Sequence, residues 1–327
     1  MIVLLTALAS AVFCGVYLAL ARRRNIVATP NERSSHATPT PHGGGLPMLA
    51  AFFAALALSA LSGTAWDTAL WLLAVAAALL LAVGVIDDLR GLSVRLRLAV
   101  YAATCCALAL YLLWPRLAEQ SLLAWSLLTV ATLGLLWLLN LYNFMDGIDG
   151  IAGLQAMLAC AAAALLARGG DDASHYMLFC LLLAAAHAGF LFWNRPPARL
   201  FMGDAGSVPT GFLLGGLALL GYVQGQISPL CWLILLALFI TDASWTLLWR
   251  VLTRQAFTQA HRSHAYQRLS RHWRSHGKVD ALFVAIFLLW LFPLAWASVN
   301  WPQFGVFLVI LAYLPLLAGM AMAWRIQ

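Results

Sequence analysis

Five carboxylates, in three short motifs, stand at the ends of long apolar runs. Asp87-Asp88 closes the run LLLAVGVIDDLRG. Neighbouring carboxylates beside a low dielectric repel. One therefore protonates, a cation sits between them, or Arg90 and Arg95 neutralise them. The second motif is Asn140-Leu-Tyr-Asn143-Phe-Met-Asp146-Gly-Ile-Asp149-Gly150. A helix here would put Asp146 and Asp149 on one face at i,i+3, and two amides with two carboxylates are too polar for packing alone. The third is Phe201-Met-Gly203-Asp204-Ala-Gly206-Ser207. A glycine-rich turn feeding a helix offers free N–H groups to phosphate. Asp204 is placed there to hold a divalent cation, since Mg²⁺ takes one or two carboxylates plus phosphate oxygens.

Two loops add hydroxyl and cationic donors. One runs from Pro30 to Gly45 and carries His36, Thr38 and Thr40; the other reads His261-Arg262-Ser-His264-Ala-Tyr266-Gln267-Arg268. Alone, each reads as a solvated basic loop. Gathered on one membrane face with the carboxylates, they supply charge neutralisation, positioning and a metal cage. Those are the needs of an enzyme that handles a nucleotide diphosphate and a lipid phosphate with Mg²⁺.

The elements that position these groups must be membrane helices. Of 327 residues, 63% are hydrophobic and 9% charged, against about 25% charged in a soluble domain. Mean hydropathy is +0.87. A soluble enzyme, a disordered chain and a disulfide scaffold are excluded. Spans of about 20 residues are predicted near 2–21, 45–61, 68–86, 96–114, 122–142, 151–167, 175–193, 208–227, 229–249, 280–299 and 303–324. The fold class is thus all-α and polytopic, with eleven spans or ten, as a single membrane-embedded domain over 1–327. Seventeen of the nineteen Lys and Arg fall in one set of loops, leaving only Arg116 and Arg168 on the other side. Positive-inside asymmetry then sets the N-terminus outside and the motifs in the cytoplasm. The net charge of +7 follows from these loops, so no nucleic-acid partner is expected. The first apolar stretch precedes Arg22-Arg23-Arg24 and reads as a retained span. The basic segment 250–279 has helical spacing in parts, and either lies on the anionic leaflet or caps something beneath it. The six cysteines sit in apolar runs and read as small core residues.

The motifs together resemble the polyprenyl-phosphate N-acetylhexosamine-1-phosphate transferases, which include the phospho-N-acetylmuramoyl-pentapeptide translocase and the O-antigen-initiating enzymes. Pro30–Gly45, Asp87-Asp88, Asn140–Gly150, Asn194–Ser207 and His261–Arg268 occur in the family's order. The resemblance implies that Asp87 and Asp88 are catalytic and that Asp204 binds Mg²⁺, with Mn²⁺ as the alternative ion. It makes Asn143, Asp146 and Asp149 the nucleotide motif, supported by Asn140. Asn194 and Phe201 match an amide and an aromatic at the uridine pocket, and His36, Thr38 and Thr40 match the phosphate-side loop. His261, Arg262, His264, Tyr266 and Gln267 match the loop that meets pyrophosphate and sugar. The implied reaction moves a sugar 1-phosphate from a UDP-N-acetylhexosamine to undecaprenyl phosphate and releases UMP, in the bacterial inner membrane; a homodimer is admitted.

Two departures bear on the substrate. Leu89-Arg90-Gly91 follows the aspartate pair, so no third aspartate is assigned. Tyr266-Gln267 stands where many relatives carry paired histidines. The His-Arg-Ser-His-Ala-Tyr-Gln run is similar to the O-antigen branch that uses 6-deoxy amino sugars such as N-acetylfucosamine or N-acetylquinovosamine; UDP-N-acetylglucosamine is the alternative donor. The rival class is a secondary transporter. It calls for charges at the midplane and paired broken helices, whereas the acidic residues crowd one face.

Overall fold

The computed structural model describes residues 1–24, 27–28, 39–118, 120–169, 171–255 and 262–326, without side chains at 27, 28, 171 and 172. Apolar runs become helices wherever a capping residue starts them. Asp67 accepts from Ala69 N–H at 3.1 Å to open α3 (Thr68–Arg90), and Ser93 accepts from Leu96 N–H at 3.3 Å to open α4 (Val94–Leu117). Ser121 accepts from Ala124 N–H at 3.1 Å to open α5 (Leu122–Met145). Each satisfies an otherwise orphaned N–H of a first turn.

The remaining long helices are α1 (Ile2–Arg23), α7 (Asp171–Asn194), α8 (Asp204–Val223) and α14 (Gly305–Ala323). One more long helical run continues from α12 (His276–Ile286) through a π-helical turn at Phe287–Leu291 into α13 (Phe292–Asn300). Pro293, which cannot donate to the ladder, stands two residues after that turn. Two shorter apolar helices, α2 (Gly45–Leu61) and α6 (Ile151–Leu166), have 17 and 16 residues. At about 1.5 Å per residue they reach about 25 Å, less than a bilayer core of about 30 Å. Among the described residues eight helices are long and apolar enough to cross a membrane. A ninth is the pair α9 (Pro229–Leu235) and α10 (Ala237–Leu252), bent by 75° at Leu236. With α2 and α6, these helices occupy the eleven apolar stretches read from the sequence.

The bend frees carbonyls that water cannot reach. Gln155 Nε2 donates to Leu235 O at 3.1 Å and Tyr313 Oη to Leu233 O at 3.0 Å, so irregular backbone inside the bundle is satisfied by other helices.

Helix α8 is the centre of the bundle, with every residue from Ala205 to Leu217 buried. It packs against α3 and α5, while α7 packs against α1 and α6. The α3–α8 pair is antiparallel: Gln224 at the end of α8 donates to Asp67 at the start of α3, and the other ends meet at Asp88 and Ala205. Gly84 makes that approach: a Cβ there would stand 2.7 Å from the Ala205 Cα. A short amphipathic helix, α11 (Ala265–Trp273), lies against α10, α12 and α14 at the motif-bearing end. Two-residue strands β1 (Val27–Ala28) and β2 (Thr40–Pro41) pair antiparallel.

Candidate active site

The end of α3, the start of α4, the end of α5 and the start of α8 converge. Asp87 ends up nearly buried, with Leu92 N–H donating to its Oδ1 at 2.7 Å and Arg97 Nη1 paired to its Oδ2. The same Arg97 nitrogen reaches Asp204 Oδ2 at 3.1 Å. Asn143 Nδ2 donates to Asp204 Oδ1 and to Ser207 Oγ, both at 2.8 Å. Asp88 takes a longer bond, 3.4 Å, from Ala205 N–H at the head of α8. Gly203 turns the chain into α8 with φ +74°, and a Cβ on it would lie 2.9 Å from Asp88 Oδ2 and 3.2 Å from Gly43 N. A glycine is needed there for both conformation and space.

The loop before α2 is tied to the same turn. Phe201 N–H donates to Pro41 O at 2.8 Å, Gly44 N–H to Phe201 O at 2.8 Å and Gly45 N–H to Met202 O at 2.9 Å. Half-buried Phe201 is therefore fixed through its backbone, and Thr40 is buried in β2. His36, Thr38 and His261 lie outside the described residues.

A second cluster adjoins the first through Asp146. This half-buried residue follows α5, and burial together with Asp204, Asp88 and Asp149 pushes its carboxyl up to about 7. Asp149 accepts from Ala198 N–H at 3.0 Å and lies 3.1 Å from His276 Nδ1. Asn194 is buried with its amide spent on backbone: Oδ1 accepts from Gly150 N–H at 3.0 Å and Nδ2 donates to Leu200 O at 2.9 Å. Beside Asp149 opens a cleft of about 670 Å³, walled by Pro196, Pro197, Arg271, Arg274 and His276. Asn140 stays on its own helix, donating to Leu136 O at 2.7 Å.

The last loop closes over this region. Tyr266 Oη donates to Phe144 O at 3.0 Å, and Gln267 Nε2 would lie 2.9 Å from a Cβ at Gly147. His264, Tyr266 and Gln267 are buried, and Arg262 is half-buried. So the start of α11 lies against Phe144 and Gly147 of the Asn143–Gly150 motif.

Two contributors, Arg97 and His276, were not singled out by the sequence. Asp242 carried a signal, as an acid within an apolar run, whereas Arg97 shares its setting at the head of α4 with Arg95.

Asp87, Asp88 and Asp204 carry three negative charges against one guanidinium, which suits a hard divalent cation. Among the described residues no three His, Cys, Asp or Glu side chains form a metal-holding group. Asp88 and Asp204 are the carboxylates that would serve an ion completed by phosphate oxygens, as Mg²⁺ prefers.

Comparison with known proteins finds similar sequences. The profile of glycosyl transferase family 4 matches residues 70–222, from within α3 to within α8. A probable undecaprenyl-phosphate N-acetylglucosaminyl 1-phosphate transferase of Bacillus subtilis (strain 168) is 25% identical over 258 residues, 76% of this chain and 71% of that protein. A decaprenyl-phosphate N-acetylglucosaminephosphotransferase of Mycobacterium tuberculosis (strain CDC 1551 / Oshkosh) is 30% identical over 215 residues, 60% of this chain; the match spans about half, 53%, of that relative's length. A phospho-N-acetylmuramoyl-pentapeptide-transferase of Prochlorococcus marinus is 46% identical over 59 residues, 18% of this chain and 16% of that one. The chain is thus similar to polyprenyl-phosphate N-acetylhexosamine-1-phosphate transferases, with the glycosyl transferase family 4 match confined to residues 70–222, and its apolar helices are those of a multi-pass protein of the bacterial inner membrane.

Proposed function

We propose that the protein transfers an N-acetylhexosamine 1-phosphate from its UDP donor to undecaprenyl phosphate. The observation that carries this reading is the meeting of Asp87, Asp88, Asp204 and Asn143 at the glycine-turned head of α8. A lipid-phosphate oxygen attacks the β-phosphorus of the donor. The bond from that phosphorus to the bridging oxygen breaks, UMP leaves, and a sugar diphospholipid remains. Asp87 is occupied by Arg97 and Leu92 N–H, whereas Asp88 meets backbone N–H groups at the head of α8, the Ala205 bond being long at 3.4 Å. Asp88 is thus the carboxylate free to take the proton of the lipid phosphate in a single step. Asp204, steadied by Asn143, would hold Mg²⁺, which when bound offsets charge on the pyrophosphate. Asp146 and Asp149 line the donor side, with Asn194 bracing the Gly150 and Leu200 backbones around them. The motif-bearing end faces the cytoplasm and the N-terminus faces out, as the seventeen-to-two distribution of Lys and Arg supports.

The finer reading concerns the sugar. Tyr266 and Gln267 stand in the loop that meets the donor, and an apolar tyrosine ring there in place of a partner for a 6-hydroxyl favours a 6-deoxy donor and the start of an O-antigen. Leaving a hydroxyl unpaired costs about 1–3 kcal/mol. A UDP-N-acetyl-6-deoxyhexosamine should then exceed UDP-N-acetylglucosamine about tenfold in kcat/KM.

The test is to incubate purified protein with undecaprenyl phosphate, Mg²⁺ and a panel of UDP-amino sugars. UMP and a lipid-linked sugar diphosphate should appear, and Asp88→Asn should lower turnover by orders of magnitude at little cost in donor affinity. No UMP from any donor would refute the transfer, and equal kcat/KM for the two sugars would refute only the 6-deoxy preference.

A further inference from the structure

Asp242 is a nearly fully buried carboxylate in α10, only 2% exposed, and it takes no part in the chemistry proposed above. A buried charge persists only where several donors meet it. Ala265 N–H donates to Oδ1 and Tyr266 N–H to Oδ2, each at 2.9 Å. His264 Nδ1 lies 3.2 Å from Oδ1, and Thr246 Oγ1 donates to the same oxygen at 3.2 Å. Both oxygens are thus spent on the first turn of α11. His264, in the N-cap position, makes no side-chain cap bond of its own. The orphan N–H groups and the positive end of α11 are satisfied by a carboxylate from another helix, 24 residues before Tyr266.

What this cap fixes is the underside of the donor site. Once Ala265 and Tyr266 are held, Tyr266 Oη meets Phe144 O at 3.0 Å, and Tyr266 and Gln267 cover Gly147. Residues 144–147 include Asp146 and directly follow Asn143, the partner of Asp204. Contact therefore runs from Asp242 through the start of α11 to the loop that carries the donor-side carboxylates.

We infer that Asp242 is a positioning residue: it docks α11 on the Asn143–Gly150 loop and so sets the shape of the donor site without touching substrate. This rests on the transfer reading above for its kinetic test. An Asn at 242 presents one acceptor and one donor, so one of the two N–H groups of α11 would face an N–H instead of an oxygen. The start of α11 would lift and loosen Tyr266 from Phe144.

The experiment compares Asp242→Asn, Tyr266→Phe and the double variant in detergent-purified full-length protein. KM for the UDP-sugar should rise at least tenfold in Asp242→Asn, while KM for undecaprenyl phosphate stays within about twofold. Tyr266→Phe should shift the same constant in the same direction. Both act through one contact path, so the double variant should be scarcely worse than the poorer single variant. UMP binding by calorimetry, which needs no turnover, should weaken in parallel. Equal rises in both KM values, a loss confined to kcat, or multiplicative effects of the two changes would overturn the inference. If Asp242→Asn fails to fold, Tyr266→Phe decides alone: an unchanged donor KM overturns it. An inert wild type that still binds UMP, with binding weakened by Asp242→Asn, would refute the transfer reading and leave the positioning role standing.

Discussion

Arg97 joins two carboxylates of different helices, and replacing it with Met keeps the apolar stem while deleting the charge. Its Nη1 is paired with Asp87 and lies 3.1 Å from Asp204. A hydrogen bond to a charged group nets about 1.5–3 kcal/mol. Two such bonds would give up to about 6 kcal/mol, but Arg97 and Asp204 are 28% and 31% exposed, and screening at that exposure leaves about 2 kcal/mol for the pair. Without the guanidinium, three carboxylates face one another with no resident positive charge. The Arg97→Met protein should therefore lose about 2 kcal/mol in EDTA. A divalent cation should offset much of that loss. Removing one positive charge beside the cation's seat is worth at least about 1.4 kcal/mol of cation affinity at an effective dielectric near 20, which is one decade. Thermal unfolding of the wild type and Arg97→Met, each in EDTA and in millimolar Mg²⁺, measures both effects. The variant's deficit should shrink by at least half in Mg²⁺, and its apparent Mg²⁺ constant should tighten about tenfold. An equal deficit with and without Mg²⁺ would refute the charge balance, and no deficit in EDTA would show the bridge to be energetically empty.

Asp204→Asn should fold normally yet lose turnover by orders of magnitude, because a lost metal contact costs several kcal/mol of barrier; near-normal turnover at saturating Mg²⁺ would remove the ion from Asp204. Asp146 has its carboxyl raised to about 7, so the folded protein holds a proton there that the unfolded chain releases near pH 4. Its contribution to stability therefore falls as pH rises from about 4 to about 7. A cation beside it must displace that proton, so Mg²⁺ affinity should drop up to tenfold per unit as pH falls below about 7; calorimetry at pH 6 and pH 8 giving equal constants would contradict this. Lys278, exposed beside the cleft at the start of α12, replaced by Cys in a cysteine-free background, should react with impermeant reagent only from the cytoplasmic side; labelling from outside would invert the topology.

The helices were legible because burial in lipid demands long apolar runs, and their starts were legible in part because Asp67, Ser93 and Ser121 cap them. The 75° bend after Leu235 was not legible. No glycine or proline marks it, and the groups that satisfy its freed carbonyls, Gln155 and Tyr313, are about 80 residues away. The same division runs through the site. Asp87, Asp88, Asn143, Asp146, Asp149 and Asp204 could be picked out because a carboxylate or amide at the end of an apolar run has no bland use. Arg97 was hidden among seventeen basic residues that the positive-inside pattern already explained. Nothing in its residue type or its place near the head of α4 separates it from Arg95, two residues nearer the Ser93 cap; only the fold shows which of the two reaches Asp87 and Asp204. Asp242 stood out as an acid in an apolar run, but its role did not: two of its partners are backbone N–H groups of a helix, 23 and 24 residues downstream, and backbone donors leave no mark in a sequence. Polar groups that meet substrate announce themselves by being out of place, whereas those that hold other residues in place are recognised only when the fold shows what they hold.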